Sequence, residues 1–306
     1  MSAPTKGRDL GIIAAVYVVI LAAVAGLLQV DAFVAPLAEL AAEWELAPSL
    51  VVGFALDLVA TVLVFAFSVG LRNASTYDAY WSVAPIALVG LWFVPAIGHA
   101  DPIRMAVVAT LVSWWGVRLT YSWARGWPGL HHEDFRYVDL REKTGPLYPV
   151  VNLLGIHVFP TVQVFLGMLP VHAVATSAAP LGPLDAVALL VTAAAIATEQ
   201  VADRQLHEYK RRKVSGEAGP VLNTGLWAWS RHPNYLGEMG FWWGLALFAL
   251  AVHAEWWRAI GALAITVMFV FVSLPMIEGR HRARRPEYES LAARGVLLPR
   301  RPRSTA

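Results

Sequence analysis

The stretch from Leu50 to Leu71 reads LVVGFALDLVATVLVFAFSVGL, an unbroken apolar run whose one ionisable side chain is Asp57. A helix needs about 20 apolar residues to cross the hydrocarbon of a bilayer, since it rises about 1.5 Å per residue and bonds its own backbone polar groups. The run therefore reads as a membrane span. Asp57 becomes a carboxyl at a depth where it needs a partner, and an intramembrane acid is a functional candidate by default.

Similar runs lie on both sides: Leu10 to Leu28, Trp81 to Ile97, Ile103 to Tyr121, Val150 to Val174, Leu184 to Asp203, Leu226 to Leu250, and Trp257 to Ile277. The expected fold is an all-α, polytopic membrane helical bundle of about eight transmembrane helices, give or take one. The first run follows Lys6 and Arg8, yet it exceeds the roughly 7 to 15 residues of a signal-peptide core and reads as a retained span. One membrane domain, residues 1–306, is the simplest description.

Composition agrees. Of 306 residues, 57% are hydrophobic and 15% charged, against about a quarter charged in soluble domains. A net charge of +2 gives no reason to expect nucleic acid as a partner. The absence of Cys excludes disulfides, thiolate metal sites and cysteine nucleophiles. With eight spans and both termini inside, only Arg104 and Arg258 fall outside, in keeping with the positive-inside rule. Three polar segments then share the cytoplasmic face: Ser122 to Pro149, Arg204 to His232, and Glu278 to Ala306.

The densest chemistry lies in Thr224-Gly225-Leu226-Trp227-Ala228-Trp229-Ser230-Arg231-His232-Pro233-Asn234-Tyr235-Leu236-Gly237-Glu238. Pro233 suits a first helical position, so a helix is predicted to start there. Its positive end, free backbone N–H groups, Arg231 and His232 all favour a phosphate or pyrophosphate. Asn234 and Glu238, four residues apart, share one face and suit the amide or hydroxyl groups of a nucleotide. The plainer alternative is an interfacial helix start, with Arg231 reaching headgroups and Trp and Tyr forming an aromatic belt.

At these residues the sequence resembles the steroid 5-alpha-reductase C-terminal-like membrane proteins of bacteria (DUF1295), and more distantly the sterol reductases. The pattern is Gly225-Leu226-Trp227, Arg231-His232-Pro233-Asn234-Tyr235 and Gly237-Glu238, and the likeness reaches back to Arg118-Leu119-Thr120-Tyr121, Trp123-Ala124-Arg125-Gly126 and Tyr137-Val138-Asp139-Leu140-Arg141. It covers residues 116–300, whereas residues 1–115 hold variable spans. The resemblance implies an NADPH-dependent reductase in a bacterial inner membrane, with cofactor roles for Arg231, His232, Asn234, Tyr235 and Glu238. It also implies contacts from Asp203 to the adenosine ribose, from Arg204 to the 2′-phosphate, and from Arg280 and His281 in the tail. Isoprenylcysteine and phospholipid methyltransferases share the R-H-P-x-Y core and use S-adenosylmethionine.

Other clusters have milder readings. Glu199, Asp203 and His207 share a helix face, and Lys210 to Lys213 beyond them suit anionic headgroups as well as a phosphate. His131-His132-Glu133-Asp134 reads better as solvated loop polarity than as a metal site. In the tail, Arg280 and His281 lead into Arg282, Arg284, Arg285 and Tyr288, a stretch whose counterpart in similar reductases covers the cofactor, whereas Arg300, Arg301 and Arg303 suit anionic lipid better. No G-x-G-x-x-G stands in a strand-helix context, which excludes a Rossmann cofactor fold.

For conjugate reduction, a proton donor must meet the substrate carbonyl while hydride reaches the β carbon. Asp57 and Tyr121 are the expected catalytic pair, and His157 reads as a core histidine. The leading expectation is reduction of a carbon–carbon double bond in a lipid, steroid or isoprenoid-like molecule. Methyl transfer to a lipid is the second reading, and a non-enzymatic scaffold or transporter using Asp57, His157 and Gln163 is the third.

Overall fold

Proline opens most of the long helices of this chain, because its missing N–H is no loss at the first turn. The computed structural model, which describes residues 3–284, 286–291 and 294–300, divides into two compact units, residues 1–178 and 179–306. Arg285, Arg301 and Arg303 of the basic tail lie outside the described residues.

The first unit contains α1 (Ala3–Leu27), α2 (Asp31–Glu43), α3 (Pro48–Gly70), α4 (Tyr80–Ala96), α5 (Pro102–Gly126), α6 (Phe135–Thr144), α7 (Tyr148–Val151), α8 (Phe159–Gly167) and α9 (Leu169–Ala175). Asp101 caps α5 by accepting from Arg104 N at 2.8 Å, and Asp134 caps α6 through Arg136 N at 2.9 Å. Both satisfy donors that a helix start leaves open. α4 and α5 meet at Gly116, where a Cβ would come 2.5 Å from the Ser82 carbonyl oxygen. A π-helical stretch, Asn152–Val158, joins α7 to α8.

The second unit contains α10 (Pro183–Val214), α11 (Pro233–Ala251), α12 (Ile260–Met268) and α13 (Leu274–Arg284), with a second π stretch, Phe269–Ser273, between the last two. α10 and α11 run antiparallel in close contact because Gly237, Gly240 and Gly244 face Glu199, Ala195 and Thr192. Small residues let helix backbones approach where lipid offers no hydrophobic drive.

The all-helical membrane architecture expected from sequence is present, and no strand occurs among the described residues. Among the described residues, six segments are long and apolar enough to span a membrane: Lys6–Leu27, Pro48–Gly70, Ala74–Ala96, Phe135–Gly167, Pro183–Val214 and Trp256–Arg284. The other two expected spans fall on α5 and α11, helices of 25 and 19 residues. Both have the length, but α5 carries Arg104, Arg118 and Arg125, and α11 carries Asn234 and Glu238. The expected span from Val150 to Val174 is interrupted at Met168, where α8 ends and α9 begins.

Candidate functional site

In the second unit the chemistry gathers where α11 starts, at Pro233 as the sequence predicts. Arg231 and His232 just ahead of it are buried, and both meet Glu278 of α13. Arg231 Nη1 lies 3.0 Å from Glu278 Oε2, and Arg282 Nη2 lies 3.4 Å from the same oxygen. His232 Nε2 lies 2.7 Å from Oε1, to which the Tyr288 hydroxyl donates at 2.6 Å. One carboxylate thus faces two guanidinium groups, of which Arg282 is half-exposed and also pairs with Glu289 at 3.8 Å. Burial and the adjoining carboxylate push the Tyr288 phenol above its ordinary range, whereas burial pulls the His232 pKa below 6.5 against the raising effect of Glu278.

Aromatic rings fix this arrangement. His232 stacks on Tyr235 at 5.4 Å and on His281 at 6.5 Å, while His281 meets Tyr288 edge-on at 4.9 Å. Glu238 is buried and accepts from Trp242 Nε1 at 2.9 Å. Two buried atoms, Arg231 Nε and Asn234 Oδ1, find no hydrogen-bond partner among the described residues. One is a donor and the other an acceptor, so the site is matched to a ligand carrying both kinds of group.

The backbone N–H groups of Arg231 and His232 are not open to an anion: they donate to the carbonyls of Gly295 (2.9 Å) and Val296 (3.1 Å). The tail forms a strap across this loop, with Arg300 N donating to Trp229 O at 3.0 Å. Arg294 adds its guanidinium to the Trp227 carbonyl at 2.9 Å, and burial lowers its pKa.

The remaining expected residues are spread more widely. Arg280 and His281, on α13, are half-buried. Glu199 is buried against Gly237, and Asp203 is half-buried one turn along α10, where its backbone carbonyl meets His207 Nδ1 at 3.0 Å. Arg204 is exposed. Gln205 accepts from Leu226 N at 3.0 Å, and Trp227 Nε1 donates to Ala202 O at 3.0 Å, so α10 holds the loop that carries the motif.

The first unit holds a different site. A cavity of about 230 Å³ between α1, α3 and α4 is lined by Leu21, Val24, Leu56, Leu88 and other apolar residues, with Asp57 and Tyr80 as its polar groups. The Tyr80 hydroxyl donates to Asp57 Oδ1 at 2.7 Å, and Asp57 Oδ2 is buried without a hydrogen bond among the described residues. Behind the pair, Thr61 donates to the Asp57 carbonyl (2.8 Å) and meets Thr161 (2.9 Å), which meets Tyr77 (2.8 Å). His157 is wholly buried against Tyr77 and Phe65, with Nδ1 on the Asn152 carbonyl.

Tyr121 does not join Asp57. It is 66% exposed on α5 and does not line the cavity; the phenol on Asp57 is Tyr80. Sequence reasoning missed Tyr80 because it stands one residue ahead of the expected span at Trp81, and it missed Glu278, an acid closing an apolar run among Arg280 and Arg282. His131 to Asp134 act as loop ties: Glu133 accepts from Ala74 N at 2.8 Å and pairs with Arg141, and the His132 carbonyl accepts from Asn73.

Comparison with known proteins accords with this architecture. A fungal protein from Schizosaccharomyces pombe, "Uncharacterized protein C594.04c", is 28% identical over 226 residues, which is 67% of this chain and 65% of that protein. The chain thus spans slightly less than two thirds of that relative. No solved structure matches the chain. The sequence model described as "Protein of unknown function (DUF1295)" matches residues 64–295, from the middle of α3 to the tail strap, and the chain belongs to that family.

Proposed function

We propose that this protein is a membrane-embedded, NADPH-dependent reductase acting on a carbon–carbon double bond of a lipid, steroid or isoprenoid-like substrate. The observation that carries this reading is the buried Arg231–Glu278–His232 cluster at the start of α11. The Arg231 guanidinium keeps a buried Nε free for a phosphate oxygen, and with Asn234 Oδ1, also unpartnered among the described residues, it suits a ligand that both accepts and donates. Arg231, His232, Asn234, Tyr235 and Glu238 would hold the nucleotide, assisted by Asp203, Arg204, Arg280 and His281. When bound, NADPH supplies a hydride; the protein's task is placement and proton supply.

The proton belongs to Asp57 and Tyr80. Tyr80 engages Oδ1, so in the acid form of Asp57 the proton sits on Oδ2, beside the apolar cavity. That acid form is what a proton donor to a substrate carbonyl requires. An apolar body with one oxygen matches this lining, which offers nothing to a nucleic acid. The same reading places the chain in a bacterial inner membrane, with both termini cytoplasmic.

Thermal unfolding of the detergent-solubilised protein with NADPH, and separately with S-adenosylmethionine, tests the reading. A ligand bound only by the native state adds about 2.7 kcal/mol at a hundredfold excess over its Kd. The midpoint should rise with NADPH. A rise with S-adenosylmethionine alone, or with neither, overturns the proposal in favour of methyl transfer or a non-enzymatic role.

A further inference from the structure

Glu278 is bonded through both of its carboxylate oxygens, and it lies outside every role assigned above to a ligand contact. Two partners face each of its oxygens: Arg231 at 3.0 Å and Arg282 at 3.4 Å on Oε2, and His232 at 2.7 Å with Tyr288 at 2.6 Å on Oε1. Guanidinium groups have no acceptor atoms, and Tyr288 donates its hydroxyl hydrogen to Oε1. Neither oxygen is placed to donate, so the hydrogen in the short contact to His232 sits on Nε2. A histidine's second nitrogen takes the complementary role.

We propose that Glu278 is the positioning residue of the nucleotide-binding end: it fixes the hydrogen of His232 on Nε2, leaves Nδ1 as an acceptor, and so makes His232 select a donor group, an amide N–H or a hydroxyl, on the ligand. Turning the ring to present its other edge would break the 2.7 Å bond to Glu278 and disturb the stacking on Tyr235 at 5.4 Å and on His281 at 6.5 Å. Burial disfavours the doubly protonated ring, which keeps the Nδ1 lone pair available. A partner that sets the tautomer of a functional histidine is worth about 10- to 100-fold in affinity where such pairs hold metals. The inference rests on the reductase reading for the identity of the ligand, but not for the tautomer.

Glu278→Gln is the informative change. Its NH₂ must replace one oxygen and would face either two guanidinium groups or the His232–Tyr288 pair. The guanidinium groups cannot accept, so the NH₂ faces the pair: the Tyr288 hydroxyl turns to accept one hydrogen, and His232 accepts the other by moving its own hydrogen to Nδ1, which turns the ligand-facing acceptor into a donor. Nitrogen-15 NMR of histidine-labelled full-length protein in micelles, with His232 assigned by the signal missing from His232→Gln, reads this directly. The wild type should show hydrogen on Nε2 and Glu278→Gln should show it on Nδ1, with NADPH affinity lowered about 10- to 100-fold. Tyr288→Phe, which leaves the carboxylate in place, should keep the wild-type tautomer.

A wild-type His232 with its hydrogen on Nδ1 overturns the proposal without need of any variant. So does a folded Glu278→Gln that keeps the wild-type tautomer, or that changes tautomer while binding NADPH as tightly as before. If the wild type binds no NADPH, the reductase reading falls, and the tautomer measurements still decide the role of Glu278.

Discussion

The Tyr80 hydroxyl donates to Asp57 Oδ1 at 2.7 Å, joining α3 to α4 beside an apolar cavity. Removing the hydroxyl with Tyr80→Phe leaves a buried carboxyl short of one partner, at a cost of about 1–3 kcal/mol. The variant should show a lower unfolding midpoint and a loss of about 100-fold in NADPH oxidation with a reducible lipid. Its affinity for NADPH should be unchanged. Turnover equal to wild type would remove Tyr80 and Asp57 from the chemistry.

Gly237 should tolerate no side chain. A Cβ there would lie 2.7 Å from Glu199 Cβ and 2.8 Å from the Ala195 carbonyl oxygen, both on α10, where neither backbone can yield. Gly237→Leu is expected to cost about 1–3 kcal/mol or more, as overpacking does. Thermal midpoints in detergent check this, with Gly279→Leu, which has open space around it, as the tolerated control.

Acid should weaken the α11 end through His232. Burial sets its folded pKa below the ordinary 6.5. The unfolded chain therefore takes up a proton at a higher pH than the folded one. The stability it contributes is complete above pH 6.5 and declines as pH falls from 6.5 through the folded pKa. Unfolding midpoints of the wild type should drop more steeply than those of His232→Gln across that window; parallel curves would refute the assignment.

Arg294 is expected to govern how firmly the tail strap is held. Its guanidinium donates to Trp227 O at 2.9 Å and to Leu222 O at 3.4 Å. Arg294→Ala should cost the strap about 1 kcal/mol, which corresponds to roughly five-fold faster opening. Hydrogen exchange at the amides of Arg231 and His232, which the strap carbonyls protect, should accelerate by that factor while exchange within α10 stays unchanged.

The apolar runs made the helices legible, because a span in lipid has to be long, apolar and internally bonded. Pro233 marked the start of α11 for an equally local reason. The residues that were harder to place depend on pairings across the fold. Asp57 could be named from its depth alone, yet its partner proved to be Tyr80 instead of Tyr121, because the answer lies in how α3 packs on α4. Arg231 and His232 were recognisable as candidate ligand contacts, but nothing local announces that Glu278 answers both. The two π stretches, Asn152–Val158 and Phe269–Ser273, also escape a reading based on a single helical period.

The strap makes the order of synthesis matter. Ser230 Oγ bonds to the Val296 carbonyl, 66 residues further along the chain. As the ribosome delivers α11 to the bilayer, the donors of the preceding loop still wait for acceptors that have yet to be made. Insertion of the hydrophobic helices and completion of the polar end are therefore separate events in the birth of the protein, the second following the first. A translational stall or nonsense codon between α13 and Gly295 would yield a chain with its helices inserted but this end still open.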